Sequence, residues 1–219
     1  MGTEKEARVR GPGRTTREDW MQIALDTLIS DGVEAVKVLA LAEKLKCARS
    51  SFYWYFKNRS DLLDSLLDHW QSTNTDALVR AANQPADSIN FALGHLFSCW
   101  VNDGKFDTRL DFAVRDWARR SGTVRRAVDI SDASRIAAVA NMFERFEYPR
   151  NEADVRARIV YFTQIGYDAL DQREKIEDRA ARSRDYLFCM TGQEPSEAEI
   201  CALKDRTLGD TSHKKNVRA

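Results

Sequence analysis

A run of basic, hydroxyl and aromatic side chains at positions 49–56 carries the groups best suited to binding nucleic acid. Arg49 can pair with a guanine, and the serines that follow it can donate hydrogen bonds to phosphate or to a base edge. Trp54 can contact a thymine methyl group or a sugar. At helical spacing, Phe52 and Phe56 share one side of the run. The pattern therefore predicts one buried edge and one edge that faces a DNA groove.

The segment before this run is also helical. Leu41, Ala42 and Leu45 form an apolar face over about two turns, and a break at residues 46–48 precedes the second helix. Two short helices joined by a tight turn have the layout of a helix-turn-helix, whose second helix enters the major groove.

This stretch resembles the TetR family of bacterial transcription regulators. The resemblance extends from about Thr15 to Leu67. It rests on the Leu-Ala-x-x-Leu step, on an aromatic run and on a later basic and leucine-rich segment, carried by Leu41, Ala42, Leu45, Phe52, Tyr53, Tyr55, Phe56, Arg59, Leu62 and Leu63. It implies an N-terminal three-helix DNA-binding head and a C-terminal helical body that binds a ligand and dimerises. It also implies a left-handed turn conformation at Lys46, where the family usually has glycine and other residues are strained.

For the head, the resemblance and the side-chain chemistry together suggest a set of DNA contacts. Arg49 is expected to contact a base, whereas the tyrosine hydroxyls and the flanking cations are expected to contact phosphates. The candidate residues are Arg14, Lys37, Arg49, Ser50, Ser51, Tyr53, Trp54, Tyr55, Lys57 and Arg59. The alternative, in which the aromatic run is only core, accounts for Phe52 and Phe56 but not for Tyr53 and Trp54.

The whole chain is predicted to be all-α, with about nine helices. Residues 1–14 are expected to form a disordered basic arm that reaches DNA or contacts nothing, and residues 204–219 a polar tail. Between them we predict a helix-turn-helix domain at 15–60 and a ligand-binding and dimerisation domain at 61–203. Residues 1–60 carry eleven basic and eight acidic residues, against 23 and 26 in the remainder, and a basic head suits contact with DNA.

For the body, the resemblance implies an effector pocket among the middle helices. An aromatic set could line it, and ordinary core filling is the alternative for each member: Phe97, Trp100, Trp117, Phe143 and Phe162. The resemblance also implies a homodimer through helices near 151–172 and 175–190, where small residues such as Ala157 and Gly166 suit close packing. A ligand would move a long helix at Ser60–Asn83, and the protein would act as a repressor on a palindromic operator.

Other functions find little support in the sequence. The three histidines are far apart, no nucleophile or metal-binding motif is present, and Asp111 and Asp116 are expected to be solvated helix charges. We therefore predict no enzyme activity, no cofactor and no metal. The polar N-terminus and the absence of a long apolar run predict a cytoplasmic protein. The remaining alternative is a helical ligand-binding or adaptor protein whose head does not bind DNA.

Overall fold

The computed structural model of the chain describes residues 15–101, 106–170, 172 and 174–208. These residues form eleven α-helices and no β-strand, which confirms the all-α prediction. The chain divides into two compact units, Met1–Leu66 and Leu67–Ala219, called here the head and the body. The arm at 1–14 and the tail beyond 208 lie outside the described residues. Within the described residues no helix is both long enough and apolar enough to span a bilayer.

The head contains α1 (Arg17–Asp31), α2 (Val38–Lys44), a 3-10 helix (Arg49–Trp54) and the start of α3 (Arg59–Trp70). Helix α1 begins where it does because Thr16 forms a reciprocal capping box with Asp19. The core of the head consists of side chains that are almost completely buried, namely Trp20, Leu28, Leu41, Phe52 and Leu62.

The long helix expected at Ser60–Asn83 is interrupted. A single π-helical turn (Gln71–Thr75) separates α3 from α4 (Asp76–Ala82). The Asn74 side chain is fully buried, and it donates to the carbonyl oxygen of Asp107 at 2.8 Å while accepting from the Asp107 N–H at 3.1 Å. The π turn is therefore fixed by hydrogen bonds that a change of helix type would disturb.

The other helices of the body are α5 (Ile89–Val101), α6 (Thr108–Ala118), α7 (Gly122–Glu144), α8 (Arg150–Ala169), α9 (Ile176–Ala181), α10 (Ser183–Thr191) and α11 (Glu197–Leu208). The sequence predicted one helix from Lys175 to Met190, but the structure divides it near Arg182. Helix α11 also continues into the segment that was expected to be a polar tail. Apolar side chains from α4, α5, α7, α8 and α10 form the core of the body.

A cluster of buried charges crosses this core. Arg135 on α7 is fully buried, and its Nη1 donates to Oδ1 of Asp111 on α6 at 2.9 Å. Nε of Arg115 donates to the other carboxylate oxygen at 2.7 Å, and Nε1 of Trp70 donates to Oδ1 at 2.8 Å. The expectation that Asp111 is solvated was therefore wrong: the residue is 1% exposed. Burial is possible here because two arginines supply compensating charge.

Two more side chains complete this buried ion cluster, which comprises Trp70, Asp111, Arg115, Asp132, Arg135 and Tyr161. Arg115 donates to both carboxylate oxygens of Asp132, and the Tyr161 hydroxyl donates to Oδ1 of Asp132 at 2.7 Å. Burial alone would raise the pKa of Asp111, but the charges of Arg135 and Arg115 hold that pKa below its usual range. The cluster therefore joins α6, α7 and α8 to the end of α3.

Candidate nucleic-acid interface

The recognition segment, residues 49–56, presents two chemically different edges. On one edge Phe52 is fully buried; its ring meets Trp20 edge-on at 5.2 Å and stacks on Phe56 at 5.3 Å. On the other edge Trp54 is 64% exposed and Tyr53 is 49% exposed. The division between core and surface predicted from the sequence is confirmed. The segment is a 3-10 helix followed by one turn, however, and not an α-helix.

The polar residues at the start of the segment differ in how they are held. Arg49 and Ser50 are exposed, whereas Ser51 is half-buried and donates its hydroxyl hydrogen to the Ala48 carbonyl oxygen at 2.8 Å. Nη2 of Arg49 donates to the Tyr53 hydroxyl oxygen at 3.0 Å. Two serine positions that look alike in the sequence are thus one surface group and one turn-stabilising group.

The turn between α2 and the recognition segment contains one residue in the left-handed conformation, Lys46. Lys46 has φ 51° and is exposed. Its N–H donates to the Glu43 carbonyl oxygen at 3.1 Å, and the Cys47 N–H donates to the Ala42 carbonyl oxygen at 3.0 Å. These bonds close the end of α2 in the way that glycine usually does. The left-handed conformation expected at Lys46 is confirmed.

Two of the candidate DNA contacts bind the head itself. The Tyr55 hydroxyl donates to the Thr15 carbonyl oxygen at 2.7 Å. Nε of Arg59 donates to the Val36 carbonyl oxygen at 2.6 Å, and Nη2 donates to that of Val33 at 2.7 Å. We therefore propose that Tyr55 and Arg59 support the interface, in place of the phosphate contacts expected from the sequence.

The remaining candidates flank the recognition segment. Lys37 precedes α2 and Lys57 precedes α3, and both are exposed. The Lys57 backbone N–H donates to Oδ2 of Asp61 at 2.8 Å, which orders the entry to α3. Arg14 lies outside the described residues. Leu39 on α2 is 58% exposed and was not among the DNA contacts predicted from the sequence. It lies off the apolar stripe of α2, which is the sequence feature that indicates its exposure.

Comparison with known proteins agrees with this geometry. Residues 22–66 match the family model for bacterial regulatory proteins of the TetR family. The chain carries a TetR-family head. No curated protein sequence matches the chain.

Solved structures extend the likeness beyond the TetR-family head. The crystal structure of a transcriptional regulator from Rhodococcus sp. Rha1 has a TM-score of 0.54 and 16% identity, covering 91% of this chain and 97% of that one. The crystal structure of AmtR from Mycobacterium smegmatis has a TM-score of 0.57 and 18% identity, with the same coverage of 91% and 97%. At such identities the similarity is one of fold.

The five aromatic residues suggested as an effector site lie in different environments. Phe143 is fully buried and Trp100 nearly so, and Phe97 packs edge-on against Trp100 at 6.1 Å. Trp117 is half-buried. Phe162 is 53% exposed, so the expectation that it lines an interior cavity was wrong. It belongs to an outward-facing stripe of α8 instead.

Phe97 alone of the five lines a small enclosed space between α5, α8 and α10. This cavity of ≈ 20 Å³ has room for about one water molecule. Arg179 and Tyr186 also line it, and Nη2 of Arg179 donates to Oε1 of Gln164 at 3.0 Å. Among the described residues no group of three or more His, Cys, Asp or Glu side chains is placed to hold a metal ion.

The outward stripe of α8 is apolar. Val155, Ile159 and Phe162 recur at spacings of four and three residues and are 54%, 47% and 53% exposed. Leu170, just after α8, is 70% exposed. Ala157, expected to permit close dimer packing, is fully buried and faces the core of the body. The exposed face of α8 that carries this stripe therefore presents large apolar side chains to solvent.

Proposed function

We propose that the protein is a TetR-type transcriptional regulator that binds double-stranded operator DNA through the recognition segment. The observation that carries this proposal is the exposure of Trp54 and Tyr53 directly after the buried Phe52. A purely structural aromatic run would bury these rings, since burial of large aromatic groups stabilises a fold. The TetR-family match over residues 22–66 supports the same conclusion.

The regulator acts as a homodimer in this proposal. The exposed stripe of Val155, Ile159 and Phe162 on α8, together with Phe188 on α10, is suited to a partner copy. Two recognition segments must lie about 34–36 Å apart to enter successive major grooves of one DNA face. A two-fold symmetric dimer requires a palindromic operator, and we propose that binding to this operator represses transcription.

A small molecule in the body would change operator affinity by favouring one spacing of the two heads. Such a ligand must bind the two states with different affinity, because equal affinity shifts nothing. The 20 Å³ cavity near Phe97 is too small for an effector, whereas an open pocket of ≈ 770 Å³ that shares Thr163, Tyr167 and Tyr186 with it has room for one.

Selection of duplexes from a random pool by the purified chain tests the proposal. A regulator enriches a palindrome, and its affinity falls steeply as salt rises because counterions are released from the phosphates. The helical adaptor alternative predicts no enrichment and no salt-dependent binding. The selected palindrome would also establish the two-fold symmetry of the complex.

A further inference from the structure

Arg49 is held at the surface of the recognition segment by one aromatic neighbour. Its Nη2 donates to the Tyr53 hydroxyl oxygen at 3.0 Å, and its guanidinium carbon lies 5.9 Å from the centre of the Tyr53 ring. Both side chains are exposed, and they are four positions apart. The guanidinium thus has a fixed neighbour without being taken out of solvent.

The Tyr53 ring is itself positioned by a contact with the core of the head. Its ring meets the buried Phe52 ring edge-on, with centroids 5.3 Å apart and planes at 89°. Phe52 in turn contacts Trp20 and Phe56 in the core of the head. The position of the Tyr53 hydroxyl is therefore set by the core, and that hydroxyl sets the direction of the Arg49 side chain.

The contact leaves the arginine able to read a base. A guanidinium has five N–H donors, and the Tyr53 oxygen accepts only one of them. Nη2 contributes one hydrogen to each paired edge of the guanidinium, so one edge still carries the two donors that match the O6 and N7 acceptors of guanine. A long arginine side chain that is already oriented loses less rotational freedom when it binds.

We propose that Tyr53 is the positioning residue for Arg49, and that its hydroxyl determines how strongly the protein prefers a G·C pair at one operator position. The inference rests on the proposed function and deepens it. It differs from the expectation that Tyr53 donates to phosphate, because a phosphate contact strengthens binding to every sequence alike.

A double-mutant cycle on the full chain tests this proposal. The four proteins are the wild type, Tyr53→Phe, Arg49→Ala and the double variant. Each is titrated with the selected duplex and with duplexes in which each G·C pair is replaced in turn. Tyr53→Phe keeps the ring and its contact with Phe52 and removes only the hydroxyl, so its thermal unfolding should match that of the wild type.

We expect Tyr53→Phe to weaken binding of the selected duplex about fivefold and to reduce the preference for one G·C pair by a similar factor. In the Arg49→Ala background the same change should have almost no effect, because the group that it positions is gone. Arg49→Ala should reduce the preference at the same base pair and at no other.

Two results would overturn the inference while leaving the regulator assignment intact. One is additive effects of the two substitutions. The other is an equal loss of affinity for all duplexes, which would identify Tyr53 as a phosphate donor. Failure of the wild-type protein to enrich any duplex would instead reject the regulator assignment and this inference together.

Discussion

Asp111→Asn tests the energetic role of the buried ion cluster. The substitution keeps the size of the side chain but removes the negative charge that faces Arg135 and Arg115, whose nitrogens lie 2.9 Å and 2.7 Å from the carboxylate. It also places an amide group opposite arginine donors. Breaking a buried pair on one side costs about 3–5 kcal/mol, because the remaining charge is left without its partner. We expect a loss of that size in the free energy of unfolding.

The assay is urea unfolding of the full chain, followed by tryptophan fluorescence and circular dichroism. In a parallel thermal unfolding experiment, the same loss corresponds for a chain of this length to a fall of roughly 6–20 °C in the midpoint temperature. Asp154→Asn is the matched control, because Asp154 pairs with Arg158 on the surface of α8 with about half of each side chain exposed. The free energy of unfolding of that variant should equal that of the wild type, since exposed ion pairs contribute little to stability.

The stability difference between the wild type and Asp111→Asn should also depend on pH. Because the folded-state pKa of Asp111 is held below the unfolded value, its contribution is complete above the ordinary aspartate pKa of about 3.9. The contribution is lost as pH falls through the folded-state pKa. The stability difference between wild type and Asp111→Asn should therefore be constant near neutrality and shrink in acid. A difference below about 1 kcal/mol at neutral pH would refute the assignment of a stabilising role to this cluster.

Three further substitutions test other parts of the molecule. Lys46→Gly should stabilise the head by up to about 1 kcal/mol in urea unfolding, because it relieves the left-handed strain at φ 51°. The control Glu43→Gly, inside α2, should destabilise the head. Equal effects of the two substitutions would refute the strain argument. Phe52→Ala should cost about 3–5 kcal/mol and abolish duplex binding in a gel shift, and retained binding would contradict the role of the buried edge. Ile159→Asp should convert the proposed dimer to a monomer in analytical ultracentrifugation, while Ile130→Asp, at a more exposed position on α7, should not; a dimer that survives Ile159→Asp excludes α8 from the interface.

The head could be predicted closely because its information is local. The spacing of Phe52 and Phe56 separates the two edges of an eight-residue segment, and the resemblance to the TetR family places Lys46 at a turn position where glycine is usual. What the local pattern missed is hydrogen bonding over distance. Tyr55 reaches Thr15 and Arg59 reaches Val33, and pairs separated by 26 or more positions leave no periodic signal.

The body was harder to predict because periodicity shows a stripe but not its partner. On α8 the stripe of Val155, Ile159 and Phe162 is as regular as a core stripe, yet it faces outward. Asp111 presents the opposite difficulty. Nothing near it in sequence indicates that Arg135, 24 positions later, makes its burial possible.

The π turn at Gln71–Thr75 has a consequence for the register of its helix. Fully buried side chains recur every four positions along it, at Leu62, Leu66, Trp70, Asn74, Leu78 and Ala82. An α-helix has 3.6 residues per turn, so a four-residue repeat drifts by about 40° at each step. The wider turn accommodates one extra residue and absorbs part of that drift. The buried face of the helix therefore continues from Leu62 to Ala82 across the change of helix type.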